Sequence, residues 1–96
     1  MDMEDMLTLL KIDLQRIGGC LGDDDYLRLT LRAAKRHLER QGIRGDGGED
    51  YAYLVVGTAA WMYRKRVNGE AEPEFLRRMR LDLLVAQGLG GIGHAP

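Results

Sequence analysis

The sequence predicts an all-α fold, a compact bundle of about four short helices. Apolar residues recur at helical spacing in four separate segments, acidic residues precede or open these segments, and glycine follows them. Nowhere do apolar and polar residues alternate as in a half-buried strand, and no internal repeat is visible. In the first segment Met6, Leu10, Leu14 and Ile17 share one face, with Asp5 as the expected cap and Gly18-Gly19 as the stop. In the second, Asp23-Asp24-Asp25 suits an N-cap and first turn, because the positive end of a helix attracts carboxylates. Its stripe is Leu27, Leu31, Ala34 and Leu38, and its expected end is Gln41. Gly42 then takes the left-handed cap position, with Ile43 placed to touch Leu38 across it.

A loop with four glycines between Gly42 and Gly48 leads to Glu49 and Asp50, which open the third helix, expected from Tyr51 to about Val67. From Tyr51 to Tyr63 no charged residue occurs and no polar face is left for three turns. A helix apolar all round is covered on all sides. Three other short helices are not expected to cover it fully, so the excess points to a second copy or a partner. Arg64-Lys65-Arg66 complements the negative helix end, Asn68-Gly69 makes the turn, and Pro73 fits the first turn of a fourth helix. There Phe75, Leu76, Met79, Leu83 and Ala86 form one stripe, whereas Leu81, Leu84 and Val85 point elsewhere, and Gly88 is the expected stop. The surplus on the last two helices makes Tyr53, Val56, Trp61, Tyr63, Leu81, Leu84 and Val85 the candidate subunit interface.

The 96 residues fit one domain, read as 1–87, with a flexible glycine-rich tail at 88–96. Apolar residues at 45% and charged residues at 30% match a soluble globular protein. The net charge of −1 supplies no bulk field for phosphate, so nucleic-acid binding would need a local patch. Cys20, the only cysteine, excludes an intrachain disulfide framework and multi-cysteine zinc sites, and favours a reducing compartment. The acidic start does not read as a secretory signal, and the uncharged stretch is too short to span a membrane.

Chemistry finds little purchase here. The chain has no serine, which removes a Ser-His-Asp triad, and no G-x-x-x-x-G-K-[ST] run, which removes the P-loop motif. His37 and His94 are not positioned by any motif to activate Cys20, and His37 has Gln41 where a second metal ligand would stand. The acidic runs lack the frame of an EF-hand, and Gly45-Asp46-Gly47-Gly48 lacks that of a dinucleotide site. No enzyme activity, cofactor or metal is expected. Opposite the second helix's stripe lie Arg28, Arg32, Lys35 and Arg36, with Arg40 further round and only Glu39 to offset them. Two readings stay open for this basic face: a solvated surface, or contact with a phosphate backbone.

In order and spacing these signals resemble the head-tail connector (adaptor) proteins of long-tailed bacteriophages, specifically their small all-helical class. Met6-Leu7-Thr8-Leu9-Leu10-Lys11-Ile12-Asp13-Leu14 is similar to the family's opening helix, and the helix from Tyr26 to Gln41, closed by Gly42-Ile43, is similar to its second. The strongest likeness is the apolar segment Tyr53 to Tyr63 running into Arg64-Lys65-Arg66, followed by Pro73-Glu74-Phe75-Leu76-Arg77. The resemblance spans residues 6 to 87; the tail has no counterpart in it.

It implies a structural virion protein in the neck between head and tail, assembled in the host cytoplasm, with no catalytic role. About a dozen copies would form a ring of heterologous contacts under the portal protein, extend the DNA channel and carry the next neck or tail-completion protein. DNA contact would be non-specific and no membrane is involved. The basic face would then be a candidate for lining the channel, and the apolar Leu89 and Ile92 are candidate portal-docking anchors in the tail. The alternative is a small helical DNA-binding regulator using the basic face of helix 26–41.

Overall fold

A computed structural model describes residues 2–16, 23–45 and 48–89. Four helices follow in order: α1 (Met3–Arg16), α2 (Asp24–Arg40), α3 (Glu49–Asn68) and α4 (Glu74–Leu84), the last continuing into a π-helical turn over Val85–Leu89. No strand occurs among the described residues.

The starts of α1 and α2 are set by side-chain caps. Asp2, not Asp5, caps α1: its carboxylate accepts the Asp5 backbone N–H at 2.9 Å, so the helix begins earlier than its apolar stripe suggests. Asp23 does the same for α2, accepting from the Tyr26 N–H at 2.7 Å. At the other end of α2 the Gly42 N–H bonds the Glu39 carbonyl and the Ile43 N–H bonds the Leu38 carbonyl, the paired bonds of a Schellman motif. Gly42 supplies the required left-handed backbone, φ 92°, and Leu38 and Ile43 are both buried beneath it. α3 closes on Gly69, φ 72°, whose N–H bonds the Lys65 carbonyl.

α3 is the central helix, and α1, α2 and α4 all pack on it. The expectation that short helices leave it partly uncovered holds only for the side chains of Tyr53, which is 48% exposed, and of the partly buried Met62 and Tyr63. Tyr51, Ala52, Leu54, Val55, Val56, Thr58, Ala59, Ala60 and Trp61 are all buried within the chain. The reason is size: Ala52, Gly57, Ala59 and Ala60 are small, so neighbouring helices approach its backbone closely and need little surface to enclose it. Around it α1 contributes Met6, Leu7, Leu10 and Leu14, and α2 contributes Leu27, Leu31, Ala34 and Leu38. Each fully buried leucine stabilises the fold by about 1.5–3 kcal/mol relative to exposure.

α4 is held by fewer groups. Leu76 is its only buried residue, seated against Gly57 of α3, where a Cβ would lie 2.7 Å from the Leu76 Cδ2. Met79, Leu83 and Leu84 are partly buried against the core, but Phe75, expected in the inward stripe, is 56% exposed. Pro73 stands at the N-cap of α4, one residue before the first turn. Gly88 does not end the helix: α-helical winding stops at Leu84 and the wider turn carries the chain past residue 88, so the expected division between 87 and 88 falls inside a helical turn. In that turn the Gln87 side chain mimics a backbone strand. Its carbonyl accepts the Arg44 N–H, its amide donates to the Arg44 carbonyl, and the Arg44 guanidinium donates to the Gln87 carbonyl, each at 2.8 Å.

Candidate functional site

The candidate interface residues fall into three groups. Val56 and Trp61 are not on the surface but in the chain's own core, 4% and 8% exposed, because α3 is enclosed by its own bundle. The Trp61 indole N–H donates to the Glu70 carbonyl at 3.0 Å, its ring lies 6.0 Å from that of His37, and Lys65 Nζ sits 5.1 Å above it. Trp61 thus organises the α3–α4 connection. Arg64 reinforces it by pairing with Glu70, and Arg80 grips both oxygens of the nearly enclosed Glu72 carboxylate at 3.1 and 2.9 Å. Leu84 is half-buried near Gly42, and Tyr63 is half-buried edge-on to Tyr26, ring centroids 6.1 Å apart. Tyr53, Leu81 and Val85 remain half-exposed and apolar.

The basic face also divides, along lines set by helical phase. Arg28 and Lys35 lie seven residues apart, about two turns, and so share the flank of α2 that meets α1 and the glycine loop. Arg28 is a clamp between helices: its guanidinium donates to both Glu4 oxygens at 3.1 Å and to Asp25 at 3.0 Å. These bonds hold the Glu4 carboxyl below its ordinary range and raise the guanidinium further, just as Lys11, 2.7 Å from Asp24, holds that carboxyl low. Arg28 is therefore committed to the fold and leaves the set of free surface cations. Lys35 is half-buried and lines a depression with Met6, Glu39, Gly45, Gly48, Tyr51 and Ala52.

Arg32, Arg36 and Arg40 point outward and are exposed. The structure adds two cations that sequence reasoning left out. Lys65 and Arg66, read as mere complements to a helix end, are brought beside α2 and held over rings, Lys65 over Trp61 and Arg66 5.6 Å from the Tyr26 centroid. Arg66 also lines an open groove of about 300 Å³ between α2 and α3, with Tyr26, Leu29, Thr30, Ala33, Met62 and Tyr63. Leu29, at its edge, is 58% exposed. The available signal was the crossing of α2 over the C-terminal half of α3, which no single helix reveals.

His37 lies between these elements. Burial pushes its imidazole below the ordinary value, opposed by Glu72 and assisted by Arg80, Arg40 and Lys65. Its ring nitrogen sits 3.2 Å from the Gln41 amide. Among the described residues no group of three or more His, Cys, Asp or Glu side chains is placed to hold a metal ion, and no described helix is long and apolar enough to cross a membrane. Cys20, His94, Ile92 and the Leu89 side chain lie outside the described residues. Comparisons of the chain with protein-family models, with curated proteins and with solved structures found no match.

Proposed function

We propose that the chain is a structural assembly protein, a subunit of a head-tail connector ring that docks under a portal, extends the DNA channel and carries the next neck or tail protein. The observation that carries this reading is the apolar surface remaining after the core is filled. Phe75, Leu81 and Val85 on α4 and its following turn, and Tyr53 on α3, are each about half exposed. A chain of this size with a satisfied core has no internal use for them, and apolar residues standing out along one element suit contact with another subunit. The helix order, with an acidic entry to α2 and a basic exit from α3, agrees with the family resemblance of residues 6–87. Ring closure, portal docking and a place in the virion neck follow from that resemblance.

Native mass spectrometry of the purified chain over a concentration series tests the assembly. The expected result is a closed oligomer of about a dozen copies, dispersed by Leu81→Glu with Val85→Glu while the helical circular dichroism is retained. A chain that stays monomeric at every concentration, alone and with a portal ring, would overturn the reading. A second reading, the small DNA-binding regulator, draws on the outward Arg32, Arg36 and Arg40. Against it, α2 and α3 are joined by residues 41–48, longer than the tight turn of a helix-turn-helix. A footprint at one DNA sequence in physiological salt would favour it.

A further inference from the structure

We infer that the outer face of α2 and the C-terminal end of α3 form one binding surface for the phosphate backbone of duplex nucleic acid, made by Arg32, Arg36, Arg40, Lys65 and Arg66. A row of exposed arginines is ordinarily a solvated face. What sets this row apart is that its unpaired cations stand together. Elsewhere Lys11 pairs with Asp24, Arg28 with Glu4 and Asp25, Arg64 with Glu70, Arg77 with Glu74 and Arg80 with Glu72, and the cations without a carboxylate partner among the described residues, Lys35, Arg44 and Arg78, are scattered over the other flank of α2, the following loop and α4. Among the described residues none of the five cations of this surface has a carboxylate within ion-pairing distance, although 15 acidic residues are present in the chain.

The five are physically joined. Arg32, Arg36 and Arg40 follow one another at four-residue steps, about 6 Å of rise each. Lys65 lies over Trp61, whose ring is 6.0 Å from that of His37, three residues before Arg40, which links that end of the row to α3; the Glu72 carboxylate, held by Arg80, acts on the same imidazole. Arg66 rests on Tyr26 and shares a groove with Leu29, next to Arg32, which links the other end. The stacking of Lys65 on Trp61 and Arg66 on Tyr26 holds both side chains in place, reducing the entropy lost when they engage an anion.

The surface suits a backbone better than base edges or a lipid surface. The five groups that make it are cations, the charge a phosphate backbone requires, and Glu39, Gln41 and Asn68 stand exposed at its margin. Leu29 and Val67 are the large exposed apolar side chains beside them, too few to bury a helix face in a membrane interface. The inference goes beyond the connector reading and does not depend on it, because the surface is complete on a single chain.

Binding of the full-length chain to a fluorescein-labelled duplex of random sequence, read by anisotropy across a salt series, provides the test. With three to four phosphates neutralised, affinity should fall roughly 100-fold between about 50 and 200 mM salt and be indifferent to sequence. Arg32→Gln with Arg36→Gln should flatten the log–log salt slope by about 2, and Lys65→Gln with Arg66→Gln should do likewise. Arg77→Gln with Arg78→Gln, on the outer side of α4, should leave it unchanged. Absence of binding at low salt, an equal loss in the α4 variant, or tighter binding to phosphatidylserine vesicles than to the duplex would each overturn the inference. Oligomeric state measured on the same samples separates the two proposals: a ring that ignores DNA refutes this one alone, and a DNA-binding permanent monomer refutes the connector alone.

Discussion

Gly57 and Leu76 carry the attachment of α4 to the rest of the bundle, and their contact yields a change of sign that mutagenesis can read. Leu76 is 1% exposed and is the only buried residue of its helix. Leu76→Ala removes three carbons, about 2.4 kcal/mol at roughly 0.8 kcal/mol per methylene. A residual cavity adds to this, for a total of about 2–4 kcal/mol. Gly57→Ala has two opposed effects. Alanine in a helix interior is favoured over glycine by about 1 kcal/mol. Its Cβ, however, would stand 2.7 Å from the Leu76 Cδ2, so that buried side chain must shift to admit it. Overpacking of this kind costs about 1–3 kcal/mol, so the single substitution should destabilise by about 1 kcal/mol. With Leu76 already trimmed to alanine the obstruction is gone, and Gly57→Ala should then stabilise by about 1 kcal/mol. Urea unfolding followed by far-ultraviolet circular dichroism and Trp61 fluorescence measures all four corners of the cycle. If Gly57→Ala stabilises equally in both backgrounds, the close approach of Leu76 to the α3 backbone is wrong.

Three further outcomes follow from particular residues. Gly42→Ala should cost more than Gly69→Ala in the same unfolding assay: both need a left-handed backbone, about 1–2 kcal/mol for alanine, but only at Gly42 would the Cβ also press on a neighbour, Leu84 Cδ1 at 3.2 Å. Trp61→Glu should unfold the chain as a monomer, seen as loss of helical circular dichroism, because it places a carboxylate at an 8% exposed core position; a folded variant that merely fails to oligomerise would contradict that placement. For His37, burial sets the folded-state value below the ordinary 6.5, so the unfolded chain binds the proton more readily. The neutral histidine's contribution is complete above that ordinary value and is lost as pH falls through it toward the folded one. Acidification from about pH 7.5 to 5.5 should therefore lower the thermal midpoint of the native chain more than that of His37→Phe; equal shifts would refute it.

Exposed apolar residues on α4 and unpaired cations on α2 and α3 occupy different elements, so assembly and polyanion binding are separable by mutation. Leu81 and Val85 can be changed without touching the cationic surface, and Arg32 and Arg36 without touching the apolar one.

The sequence by itself determined most of what local chain chemistry controls, though not that Asp2 rather than Asp5 caps α1 or that winding continues past Gly88. Asp23 as the cap of α2, Gly42 with Ile43 closing it, Gly69 ending α3 and the inward stripe of α2 were all legible, because each depends on residues within one or two turns. Tertiary structure decided which surfaces remain. The all-round apolar character of α3 did not reveal that its small residues would let three short helices cover all but its Tyr53 side, turning Val56 and Trp61 from expected contacts into core. Nor did helical phase alone show that Arg28 meets Glu4, 24 positions away, or that Lys65 and Arg66 come to rest beside α2. These outcomes depend on where helices cross, and a crossing is fixed by the packing of all four elements together rather than by any one of them.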